Sequence, residues 1–322
     1  MKKLRKLITG MLLFSITALS ALPLTNEIHT VQAASSVTID DKDFTLELDH
    51  YKTIRIKGTS SRASFYSRNS KVATVSTGGR VTAKGYGSTT IAVKVAGKTL
   101  TCKVTVVQMN KKNLTLTPGD TANLALWGTA EKVTWSTSDS KIATVSDTGK
   151  VTAIAAGNAT ITAAVDGMKV ISKVAVVDIS EPSIVMEVGG WSGNIKTLKL
   201  LGATGSVKWF SSNDAIATVS SNGRIFAKNY GAVTITASLN GKKFTSKVKI
   251  LDMNTRAVTL KAGDTYSLKV LGTGSKVTWD SYKKSVAIVD QNGSVTAKSA
   301  GQATIVGLAD GRIIRSRVTV TE

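Results

Sequence analysis

From Phe244 to Ile250 the side chains alternate without a break. Phe244, Ser246, Val248 and Ile250 fall on one face of an extended chain, and Lys243, Thr245, Lys247 and Lys249 fall on the other. A period of two marks a half-buried strand. The stretch beginning at Lys141 carries the same signal on both sides of a turn. Ala143 and Val145 alternate with Thr144 and Ser146, Asp147-Thr148-Gly149 intervenes, and Val151 and Ala153 alternate again. Alternation on either side of a short glycine-containing turn predicts a β-hairpin, with Asn222-Gly223 and Asn292-Gly293 its strongest forms. Beyond residue 33 no stretch sustains a 3.6-residue apolar period. The pattern predicts an all-β chain.

The pattern also repeats. KIATVSDTGKVTAIAAGNATI from Lys141 recurs as KVATVSTGGRVTAKGYGSTTI from Lys71, AIATVSSNGRIFAKNYGAVTI from Ala215 and SVAIVDQNGSVTAKSAGQATI from Ser285. The markers Val72, Ile142, Ile216 and Val286 lie 70, 74 and 70 residues apart. A fixed period of this size means an array of like modules. Each has an aromatic seven residues before its marker (Phe65, Trp135, Trp209, Trp279) and a glycine at the hairpin turn (Gly79, Gly149, Gly223, Gly293). Short strands with turn signals at this spacing predict a β-sandwich. The modules are expected at 34–108, 109–180, 181–252 and 253–322, joined by linkers at Gln108-Met109-Asn110 and Asp252-Met253-Asn254. One module buries only a small core. Four in series at roughly 30–40 Å each, given strands of about 17–20 Å, predict a stalk of about 120–160 Å.

The run from Trp135 to Ser146, then Gly149, Val151-Thr152-Ala153 and Gly157-Asn158-Ala159-Thr160-Ile161, resembles the bacterial immunoglobulin-like domain, group 2. The resemblance extends over all four modules. It implies four tandem immunoglobulin-like β-sandwich modules in an elongated array, a fold found mostly in bacterial and phage surface proteins, including adhesins of the intimin and leptospiral type. Module one departs most, with Phe65 in place of the tryptophan and Asp49 where modules two and four have Gly119 and Gly263.

The first residues read as an address. Lys2, Lys3, Arg5 and Lys6 precede an apolar run from Leu7 to Leu24, and Val31-Gln32-Ala33 offers a cleavage site. Residues 1–33 are therefore expected to be a signal peptide, leaving no transmembrane segment in the mature chain. Export would permit disulfides, but a single cysteine excludes an intramolecular one. Cys102 lies in register with Ser172, Ser246 and Ser316, which predicts a small buried residue and not a nucleophile. His50 is the one histidine after the signal peptide, and no loop concentrates acidic ligands, so neither a metal nor another cofactor is expected.

Charge adds a functional signal. Residues 34–108 carry 12 basic and 5 acidic side chains, 109–180 carry 7 and 6, 181–252 carry 9 and 4, and 253–322 carry 10 and 5. Solvent-facing positions of final strands hold much of the excess, at Lys243, Lys247, Lys249, Arg315 and Arg317. A basic exported array attracts polyanions, while lysines on strands also block edge pairing. Export and the lack of interleaved aromatics speak against nucleic acid. A further signal is the 74-residue interval, whose four extra residues fall in or beside Gly189-Gly190-Trp191-Ser192-Gly193-Asn194. Trp191 in that loop suits a sugar face or a protein hot spot, and Tyr86 and Tyr230, in glycine turns, are weaker candidates. The expected function is a non-catalytic, monomeric, secreted or cell-wall-associated surface protein acting in adhesion or as a spacer. The alternative is a polymer-binding protein whose basic faces recognise cell-wall or host polysaccharide. Partners of either would be anionic wall polymers, polysaccharide, or a host surface or matrix protein.

Overall fold

Alternation becomes strand throughout. The computed structural model describes residues 36–189 and 194–322, and every regular element in them is a β-strand. Each module has two main sheets, with an additional two-stranded pair at Thr38–Ile39/Ile56–Lys57 in module one and at Asp178–Ile179/Leu200–Leu201 in module three. In module two the larger sheet runs in the order Asn113–Leu116, Met168–Val176, Gly157–Val165, Thr134–Thr137, and the smaller in the order Thr121–Asn123, Lys150–Ala153, Ala143–Val145. The first strand of the larger sheet is parallel to its neighbour and every other pairing is antiparallel. Modules one, three and four repeat this topology. The stretch expected to be a signal peptide and residues 190–193, with Trp191, lie outside the described residues.

The repeated aromatics are pillars. Phe65, Trp135, Trp209 and Trp279 each pack against their own module's core. Below each lies the hairpin glycine. A Cβ at Gly149 would stand 2.9 Å from a ring carbon of Trp135 and would overlap the carbonyl oxygen of Leu124, and the other three modules are alike. With φ near +80° as well, only glycine suits the place.

Of the residues expected to be linkers, Gln108-Met109 and Asp252-Met253 are strand. Lys98–Met109 and Lys242–Met253 are single 12-residue strands that run from one module into the next. Val104 and Val106 enter the first core, and Val107 and Met109 enter the second. Val174 and Val176 serve the second core, and Ala175, Val177 and Ile179 the third. Val248 and Ile250 serve the third, and Leu251 and Met253 the fourth. Successive side chains of a strand point to opposite faces. One face completes the module being left, and the opposite face, outward there, is covered by the next module. The end of the strand then pairs with that module, Met109 opposite Leu126 and Met253 opposite Val270. Consecutive cores therefore share a strand and leave no loose tether.

One core position is imperfect. Ser172, Ser246 and Ser316 are fully buried, and their hydroxyls have no hydrogen-bond partner among the described residues. Module one places Cys102 there, also fully buried, its thiol pushed up to about 12 by burial with Asp41 and Asp43 adding to the effect. A buried hydroxyl without a partner costs about 1–3 kcal/mol. Ser246→Ala is expected to stabilise module three by about 1 kcal/mol. Denaturant unfolding of the full chain checks this, and a lowered midpoint for module three would contradict it.

Candidate functional site

Two kinds of surface emerge from this architecture: the outward faces of the larger sheets, and the joints between modules. The outward face of module three is built from cross-strand rows. Lys208 lies opposite Ser238, which lies opposite Lys243; Phe210 lies opposite Thr236, then Thr245; and Thr234 lies opposite Lys247. In module one the equivalent rows are Ser64, Lys94 and Thr99; Tyr66, Ala92 and Thr101; and Thr90 with Lys103. Strand alternation dictates this. The pillar aromatic points inward, so the residue after it points out. Lys103, Lys173, Lys247 and Arg317 hold one outward position in all four modules. Each is solvent-exposed.

At each joint the hairpin turn of the following module reaches back. Asp166 accepts a hydrogen bond from Thr45 Oγ1 at 3.2 Å. Lys242, beside the Asn240-Gly241 turn, stands 3.6 Å from Asp120. Asp310 accepts from Lys249 Nζ at 3.1 Å, Thr273 Oγ1 at 2.8 Å and Ser275 Oγ at 2.7 Å, and Arg312 Nε donates to the Val185 carbonyl at 2.9 Å. Between modules one and two, Asp43, Lys52, Lys103, Glu131 and Asp166 line an open cleft of about 670 Å³ in which opposite charges offset one another.

The joint carboxylates titrate low. Hydrogen bonds from Ser275 and Thr273, then from Lys249, hold the carboxyl of Asp310 below its ordinary range. Those of Thr117, and Lys242 after them, do the same for Asp120. A depressed folded-state pKa gives stability that is present above the ordinary carboxylate value and lost as pH falls through the folded one. Acidification below about pH 4 is therefore expected to loosen the joint between modules three and four. Hydrogen exchange at residues 309–312 and 183–187 reads this, and Asp310→Asn should abolish the local pH dependence. Asparagine is compatible with the turn, since Asn240 occupies the same place in module three with the same positive φ.

The residues singled out by sequence separate into these two surfaces and do not converge on one site. Lys243 and Lys247 are exposed on the outward face of module three and lack an acidic partner among the described residues, and Arg317 is exposed on module four. Arg315 is exposed there too and donates to the Ile313 carbonyl. Lys249 lies on the same strand as Lys243 but is engaged in the joint through Asp310. Tyr86 sits at the first joint, its ring 5.4 Å from that of Trp127 in the next module, and Tyr230 stands half-exposed beside Gly231 at the third. The sequence reading missed the exposed aromatics Tyr66 and Phe210, along with Tyr51, Trp127 and Tyr282, and three glycines, Gly128, Gly202 and Gly272. Each of these glycines lies against backbone of the preceding module, where a Cβ would overlap the carbonyl oxygens of Val106, Val176 and Ile250 respectively.

Among the described residues no helix is long and apolar enough to cross a membrane. Similarity to known proteins agrees with the repeat structure. The bacterial Ig-like domain (group 2) family matches residues 103–175, 173–250 and 247–311, and the intimin immunoglobulin-like domain family matches residues 51–97. The uncharacterized protein YjdB of Bacillus subtilis (strain 168) is 46% identical over 77 residues, which is 24% of this chain and 61% of that one, so the match spans less than two thirds of YjdB. Among solved structures, invasin, a bacterial integrin-binding protein, is 13% identical over 88% of this chain and 79% of its own, with a TM-score of 0.25. An intimin mutant from EHEC O157:H7 is 24% identical over 24% of this chain and 47% of its own, with a TM-score of 0.19. At such scores these superpositions add nothing to the topology described above. Three successive matches over residues 103–311, on modules that share one topology, mean that the chain belongs to the bacterial Ig-like domain (group 2) family.

Proposed function

We propose that this chain is a non-catalytic bacterial surface protein in which four immunoglobulin-like modules act as a stiff spacer in adhesion. The carrying observation is the shared strand at each joint, whose two faces complete two consecutive cores. Bending at such a joint would pull apolar side chains out of one core or the other. The family assignment and the match of residues 51–97 to an intimin domain family support a surface location. X-ray scattering of the chain from Ala34 tests the spacer reading: a maximum dimension of about 120–160 Å fits modules in series. A folded-back particle of half that length would overturn it.

A second reading is retention on anionic wall polymers, favoured by the basic residue that every module presents at one outward position. Exposed charges are screened by salt. Binding to washed cell walls should then fall steeply across a salt series. Salt-resistant binding would instead direct attention to Trp191, with Trp191→Ala the variant to test.

A further inference from the structure

We propose that modules one and three each present a binding face for an acidic polysaccharide, centred on Tyr66 and on Phe210. This rests on the polyanion reading above and gives it a ligand class and two sites. Both rings stand on the outward face of the larger sheet's edge strand, Ser64–Ser67 in module one and Lys208–Ser211 in module three, with Tyr66 67% and Phe210 54% exposed. The place is not aromatic by structural need. Modules two and four hold Ser136 and Asp280 there, the latter paired with Lys284 at 3.0 Å. The aromatic thus recurs in alternate modules of one fold, at a position that contributes nothing to the core.

Lysines share the face with each ring. Lys94 and Lys103 flank Tyr66, and Lys208, Lys243 and Lys247 flank Phe210. Strands about 4.8 Å apart, with same-face residues about 6.8 Å apart along them, put these lysines roughly 7–12 Å from the ring. None forms an ion pair within 4 Å among the described residues, although Asp43 lies opposite Lys103 on the neighbouring strand, and neither ring is covered by a cation there. The opposite sheets differ: Arg80 lies 3.6 Å from the centroid of Tyr51, and Arg224 lies 4.8 Å from that of Phe226. Those rings are occupied, and Tyr66 and Phe210 are open.

An open ring amid lysines and threonines fits a chain of acidic sugars. The ring covers the C–H face of one sugar, as an amphipathic aromatic does. Hydroxyls such as Thr236 and Thr245 can bond its hydroxyls, and the lysines pair with carboxylates on neighbouring sugars. A polyphosphate would use the lysines alone. Single-stranded nucleic acid would need successive stacking platforms, and each face offers one ring. The aliphatic Ile171 on module two and the Leu308–Ile313 pair on module four present no flat ring in that place.

The test compares the chain from Ala34, which holds all four described cores, with its Tyr66→Ser/Phe210→Ser variant. Ser136 shows that the fold accepts serine there. Affinity electrophoresis at low salt would use polygalacturonate, polyphosphate and oligo(dT). The variant is expected to lose about tenfold in polygalacturonate affinity, as truncation of a hot-spot aromatic does, with polyphosphate binding unchanged. Polygalacturonate binding indifferent to the rings, or loss equal for both polymers, would overturn the inference while leaving charge-based binding standing. Stronger binding to oligo(dT) than to polygalacturonate would overturn the choice of ligand. No binding of either polyanion by the unaltered chain would overturn the polyanion reading itself. Lys208→Gln/Lys243→Gln/Lys247→Gln should weaken polygalacturonate and polyphosphate alike, and an effect on neither would remove the lysines from the site.

Discussion

Gly149→Ala is expected to cost module two about 2–5 kcal/mol, enough to unfold it ahead of its neighbours. Two terms add. An alanine at φ +80° is in the left-handed region, which costs about 1–2 kcal/mol. Its Cβ would also press on the Trp135 ring and the Leu124 carbonyl oxygen, and overpacking of that kind costs about 1–3 kcal/mol. A module of this length is worth only about 4–10 kcal/mol in total. Gly167→Ala separates the terms, because Gly167 has φ +74° but nothing within 4 Å of its would-be Cβ. It should show the backbone cost alone. Hydrogen exchange in Gly157–Val165 of the full chain is the local readout. Equal loss in the two variants would mean that the pillar and the glycine do not support each other.

The parts of this fold that are legible in sequence are those written in local chemistry. Alternation gave the strands, turn glycines gave the hairpins, and one aromatic per module gave the pillars, because each is decided within a few residues. The joints were written less locally. Val106-Val107, Val176-Val177 and Ile250-Leu251 look like breaks in alternation. They are in fact the points where one strand face hands over to the other. Their recurrence at 70- and 74-residue intervals was the available signal, and Gly128, Gly202 and Gly272 recur at the same intervals. The role of Lys249 was not legible, since Asp310 meets it only when the next module docks. Tyr66 and Phe210 escaped notice because they appear in alternate modules. A search for what every repeat shares passes over what two of them share.

The joints themselves yield the second large effect. Gly202 has φ +70°, and a Cβ there would overlap the Val176 carbonyl oxygen and come 2.8 Å from the Gly157 nitrogen. Both atoms belong to the end of the preceding sandwich, where Gly157 pairs with Val176. Backbone on both sides leaves no flexible side chain to yield, so Gly202→Ala should open the joint between modules two and three. The cores need not unfold, since the clash lies between modules and not within one. The expected result is loss of exchange protection at 178–179 and 200–201, the short pair that closes this joint, with protection in Gly157–Val165 kept. Scattering should report a broader distribution of lengths. Gly241→Ala is the matched control, with φ +83° and open space around it, and should leave the joint intact. A Gly202→Ala chain with unaltered protection and an unaltered length distribution would show that the joint absorbs a side chain. Its stiffness would then have to come from the shared strand alone.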